Sequence, residues 1–163
     1  MKATTRLASL AVLLLSAVTA SAQWSANVGW SSEYIFRGIQ QKTSSASAGL
    51  DFEQGGFYAG TWAADVGDGL EVDGYFGFGG GTDTISYSVG FTGYYYTGDF
   101  DDTYQEINLG LAGGIFSVDV AVGEYENFSG PTQDYTFWSV SAEKDGFYGT
   151  LGGFAQDFEG EYL

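Results

Sequence analysis

The sequence predicts an all-β fold, an antiparallel up-and-down meander closing as a transmembrane β-barrel. Three observations carry that expectation. Apolar and polar residues alternate at period two in one window after another, and period two is the repeat of a strand. Glycine is abundant, at 26 of 163 residues, while proline occurs once, so turn positions are plentiful and few ladders are interrupted. The N-terminus reads as an export signal. No later stretch is long and apolar enough for a membrane helix, so strands would have to make any bilayer crossing.

Residues 1–22 have the three parts of a signal peptide. Lys2 and Arg6 make the positive start, residues 7–18 the apolar segment, and Ala20-Ser21-Ala22 the small-residue cleavage site. The barrel domain is then expected over residues 23–163.

The first strand is read at 24–38. Trp24, Ala26, Val28, Trp30, Tyr34 and Phe36 hold the even positions, and Ser25, Asn27, Gly29, Ser31, Glu33 and Arg37 the odd ones. Alternation therefore assigns the even positions to a lipid wall and the odd ones to a lumen. The following strands are read at 45–52, 56–64, 70–78, 84–96, 103–112, 116–123, 135–143 and 147–155, with the start of a tenth at the C-terminus. No window repeats at i, i+3, i+4, so helices are not expected. The connectors alternate between tight, mostly Gly-rich turns and a second set, read at 38–44, 65–69, 97–102 and 124–134, that is longer in several cases and mostly acidic. Short turns at one end and longer loops at the other are the asymmetry of an outer-membrane meander. Asp145-Gly146 is the sharpest hairpin signal.

Composition narrows the function. Five basic residues face 21 acidic ones, a formal net charge of −16. That excludes nucleic acid, which selects basic surfaces, and permits cations as partners. Cysteine and histidine are both absent. The commonest zinc sites and every Ser-His or Cys-His nucleophile go with them. The acidic loop groups Asp65, Asp68, Glu71 and Asp73, and Asp99, Asp101 and Asp102, match no calcium-loop spacing and read as solvated loops. No catalytic, cofactor-binding or metal-ligating residue is assigned, and no enzyme activity is expected.

The polar phase of the strands carries Glu33, Asp51, Glu71, Asp73, Glu106 and Asp119, with Arg37 as its one basic residue. These are the candidate lumen-lining residues, and an acid-lined passage favours cations. Arg37 is expected to reach a neighbouring strand's acid, such as Asp51 or Glu71, and pin the interior. Trp24, Trp30, Tyr34, Phe36, Trp62 and Trp138 are the candidate interfacial aromatics. A soluble periplasmic β-sandwich, binding a carbohydrate or similar ligand through exposed Trp and Tyr, shares the alternation and turn signals.

Several segments resemble the TorF family, small secreted bacterial proteins named as porins. They are residues 31–39 (SSEYIFRGI), 56–62 (GFYAGTW), 71–75 (EVDGY), 94–96 (YYY) and 104–107 (YQEI), in the family's order over most of the exported chain. The Tyr-x-x-Arg-Gly segment at 34–38 is the most specific of them. The resemblance implies an outer-membrane β-barrel that contacts the bilayer and forms a pore for small solutes. It implies no enzyme activity. Family members usually have further strands and an aromatic C-terminal residue, whereas this chain ends at Tyr162-Leu163, so about nine or ten strands and a C-terminal truncation are expected.

Overall fold

The computed structural model describes residues 23–158 and 160–162; the expected signal peptide lies outside them. The described residues form a single sheet of ten strands and contain no helix. The strands are β1 (Gln23–Phe36), β2 (Ile39–Gln54), β3 (Phe57–Gly67), β4 (Gly69–Gly81), β5 (Ile85–Tyr96), β6 (Tyr104–Gly113), β7 (Phe116–Tyr125), β8 (Gln133–Lys144), β9 (Phe147–Gln156) and the short β10 (Gly160–Tyr162). Each pairs antiparallel with its chain neighbours, in the order β1 through β10. Among the described residues β1 pairs only with β2 and β10 only with β9, so the sheet is an open meander.

Tight turns join the strands at one end, at 55–56, 82–84, 114–115 and 145–146. Asp145 and Gly146 have φ of 54° and 82°, the paired left-handed conformation of a two-residue hairpin whose twist matches the flanking strands. At the opposite end, β5–β6 and β7–β8 are joined by the longer loops 97–103 and 126–132. Two connectors there differ from expectation. The segment 38–44 is not a loop, because β2 begins at Ile39; Arg37-Gly38 alone makes the turn, with φ of 48° and 80°. β3 and β4 are separated only by Asp68. Residues 39–44 (IQQKTS) lack alternation, which hid a strand whose backbone is nonetheless paired to β1 at most positions.

Burial is the reverse of a water-soluble core. On one face, Glu71 and Glu106 are only 2% and 1% exposed, beside buried Tyr34, Tyr94, Tyr125, Tyr135 and Phe137. On the other face Val28 is 87% exposed and Ile107 56%, with Phe76, Phe78, Val89, Leu109, Leu111, Phe116 and Val122 in the same condition. The polar phase is therefore inward and the apolar phase outward. β5 shows the outward phase most fully, as Ile85, Tyr87, Val89, Phe91 and Tyr95. Ten residues separate the first and last of these. That is about 33 Å along a strand, or about 25 Å in height at a tilt of about 40°.

At the tight-turn end the outward face carries a row of rings across four strands. Trp24 meets Phe52 with centroids 5.1 Å apart, Phe52 meets Phe57 at 6.4 Å, and Phe57 meets Phe78 at 5.6 Å. Trp24 on β1 and Phe52 on β2 are direct ladder partners, as are Phe57 on β3 and Phe78 on β4.

The alternation of β1 does not hold to its end. Tyr34, expected outward, is buried inward in a cluster with Ala64 and Val66, against which Phe36 and Trp62 also pack. Glu33, expected inward, is exposed. The hairpin is irregular here: Ser44 sits at φ 60° and the β1–β2 register slips between Tyr34 and Ile35. The slip follows Tyr34, so the exchange of faces at Glu33 and Tyr34 falls instead at the Ser44 irregularity, opposite which Ser32 is left out of the ladder.

Candidate functional site

The site is the inward face of the sheet, and one local arrangement builds much of it. Tyr75 on β4 lies across Gly60 on β3 and donates its hydroxyl to Asp51 on β2. Gly60 is the ladder partner of both Asp51 and Tyr75. A Cβ on Gly60 would stand 2.6 Å from the Tyr75 ring, so only glycine lets the ring pass. The same three-strand pattern recurs as Tyr135 on β8, Gly123 on β7 and Glu106 on β6. The Tyr135 hydroxyl donates to Glu106 at 2.8 Å, and a Gly123 Cβ would meet the Tyr135 ring at 2.8 Å. Glycine opens a path one strand wide, and a tyrosine uses it to reach an acid two strands away.

Glu106 is the centre. Arg37 donates to both its oxygens, Nη1 to Oε2 at 2.7 Å and Nη2 to Oε1 at 2.6 Å. Tyr94 donates to Oε1 at 2.7 Å, Asn108 to Oε1 at 2.6 Å and Tyr135 to Oε2 at 2.8 Å. A carboxylate offers about four lone-pair sites, so both oxygens are fully occupied. The Arg37 guanidinium lies over two rings, 4.7 Å from the Phe36 centroid and 4.4 Å from that of Phe137. Both stacking and the two-pronged contact suit arginine rather than lysine. Burial works against the charge of Arg37, but the facing Glu106 carboxylate outweighs it and raises the guanidinium's pKa above the ordinary arginine value.

Arg37 sits in the β1–β2 turn and Glu106 on β6. Along the sheet, β2 and β6 are four ladder steps apart, about 19 Å at the usual strand spacing. A direct ion pair over that separation, with Phe137 of β8 in contact as well, requires the sheet to curl until the pair spans its concave interior. The expectation that Arg37 reaches Asp51 or Glu71 is thereby corrected. Those acids are taken by tyrosines, Asp51 by Tyr75, and Glu71 by Tyr34 at 2.5 Å and Tyr96 at 2.9 Å.

The remaining acids fall at several levels. Asp73 follows Glu71 on the inward phase and is buried, and its Oδ1 accepts no hydrogen bond among the described residues. Asp119 shares the inward phase of β7 with Gly123, and its ladder partners are Gly110 and Ser139. At the mouth Asp101 accepts from Tyr104 at 2.9 Å and Tyr125 at 2.8 Å, which ties the 97–103 loop to β6 and β7. Asp102 receives the Phe128 amide at 2.6 Å and so joins the two long loops. Lys42 pairs with Asp65. Among the described residues no group of three or more carboxylates is placed to hold a metal ion.

The six candidate interfacial aromatics divide. Trp24 and Trp30 are exposed on the outward face, and Trp138 is half-buried on the outward phase of β8. Tyr34, Phe36 and Trp62 belong to the interior instead; Trp62 packs edge-on against Tyr34 at 5.6 Å. Sequence reasoning missed Tyr94, Tyr135, Asn108 and Phe137 as parts of the interior network. Their signal was available: all lie on the polar phase of a strand or in step with it, and an aromatic there needs a partner inside.

These features define a class: a single-sheet all-β protein that buries tyrosine-bound carboxylates and exposes its apolar side chains. The chain belongs to the Gcw_chp family, described as bacterial proteins of unknown function, whose model matches residues 16–120. No curated protein and no solved structure matches the chain.

Proposed function

We propose that this protein is an outer-membrane β-barrel whose acidic interior passes small polar solutes, with cations preferred. The observation that carries the reading is the outward apolar face. Soluble monomers rarely leave contiguous apolar patches beyond a few hundred Å² in water. Here large apolar side chains stand exposed on β1, β4, β5, β6 and β7 alike. Burying a dozen such side chains in lipid is worth on the order of 20 kcal/mol, more than an ordinary domain's whole stability. The outward height of about 25 Å is that of a bilayer's apolar band. The ring row of Trp24, Phe52, Phe57 and Phe78 lies where an interfacial girdle belongs. Cation preference follows from Asp51, Glu71, Asp73, Glu106 and Asp119 inside, against a single paired Arg37. The resemblance to the TorF porins points the same way.

The soluble sandwich would need a second layer over the apolar face. The described residues form one sheet, and their buried side is mostly tyrosine and carboxylate, with Val66 its one buried branched aliphatic side chain. Cell fractionation with gel mobility before and after boiling tests the proposal. The expected result is recovery with outer membranes and a mobility shift on heating; release with soluble periplasmic protein and no shift would refute it.

A further inference from the structure

We infer that the Arg37–Glu106 pair is the constriction that decides what passes through the interior, an inference that rests on the barrel reading. The pair bridges the curled wall from the β1–β2 turn to β6, at the long-loop end. Phe36, Phe137, Tyr94 and Tyr135 stand around it, each in ring or hydrogen-bond contact with one of its members. Small barrels have interiors that side chains alone fill, and this sheet curls tightly enough for Arg37 of the first hairpin to meet Glu106 on β6. Opposed long side chains therefore close the path wherever they meet, and this is where the structure makes them meet.

The chemistry makes the closure releasable. Most of the interior is held by tyrosine hydroxyls that span one or two strands, from Tyr75 to Asp51, Tyr96 to Glu71 and Tyr135 to Glu106. Those contacts brace the wall and can stay in place while the path opens. Arg37 reaches furthest from the first hairpin, to β6, whereas the Tyr34 hydroxyl of β1 stops at Glu71 on β4. Its anchor is a two-residue turn, and swinging the side chain away breaks two hydrogen bonds and two ring contacts without unpairing a strand. Arg37 is also the one base among the interior acids, so it opposes cation entry at the narrowest level. Glu106 keeps Tyr94, Tyr135 and Asn108 when Arg37 leaves, so the acid remains held and presents its negative charge to the passage.

Planar-bilayer conductance in potassium chloride, on full-length protein first shown to be heat-modifiable, tests this. Wild type is expected to open rarely. R37A and E106Q are expected to raise the open fraction at least tenfold, and R37A also to shift the reversal potential toward stronger cation selectivity. R37K, which keeps the charge but loses the fork and the stacking, should fall between, so the test holds even if R37A fails to fold. The exchange R37E with E106R should return the open fraction toward wild type. Heat-modifiable single variants that conduct and select as wild type does would overturn the constriction while leaving the barrel intact. Absence of heat-modifiability in wild type would instead strike at the barrel reading.

Discussion

Gly60 and Gly123 explain why so much glycine and tyrosine coexist in this chain. Each sits between a tyrosine and an acid on flanking strands, and each would lose the tyrosine's path if it gained a side chain. Gly74 is the control, with nothing within 4 Å of a Cβ built on it. G60A should lower stability by about 1–3 kcal/mol, the usual range for overpacking. G74A should be close to neutral. Urea-induced unfolding in detergent micelles or vesicles measures both, and equal effects would mean that the close approach at Gly60 carries no energy. A second prediction concerns Glu71, which accepts from Tyr34 and Tyr96. A hydrogen bond to a charged group is worth about 1.5–3 kcal/mol, so Y34F should cost about that much by the same unfolding measurement. If Tyr34 faced lipid, as plain alternation in β1 implies, Y34F would be neutral.

At the level of the strand, alternation was readable wherever outward and inward positions both had a strong character. β4, β5, β6 and β7 could be phased correctly from sequence because Leu, Ile, Val and Phe hold one side and Ser, Gly, Asp and Glu the other. The β1–β2 hairpin was not readable beyond Ser31. Its irregular Ser44 backbone and its register slip leave no mark in residue type, and Tyr and Phe suit either face of such a sheet. The inward acids could be picked out one by one, but their partners could not, because Arg37 reaches Glu106 only through the curvature of the whole sheet. The assigned faces of β5 yield a sharp contrast. V89K places a charge mid-strand on the outward side and should cost about 2–4 kcal/mol or block insertion. S88K, one residue away on the inward side, should be tolerated far better. Equal tolerance, scored by heat-modifiable yield in outer membranes, would remove the distinction between the two faces.

Taken as a whole, the molecule buries what a soluble protein exposes and exposes what a soluble protein buries. Its Tyr-bound acids make a rigid polar interior, its apolar strand faces make a band of bilayer height, and the open sheet runs from β1 to β10 in chain order. The central claim is that this outward band meets lipid. Because the chain has no cysteine, single cysteines can be placed freely and spin-labelled. A scan over residues 85–95 of β5 in lipid vesicles, comparing collision with oxygen and with a water-soluble nickel chelate, reads the environment of each position. The expected pattern has period two: oxygen-rich, nickel-poor collisions at 85, 87, 89, 91 and 95, and protection from oxygen at 86, 88, 90, 92 and 94. Nickel access at Val89 and Phe91 equal to that of a loop position such as Asp99 would contradict it.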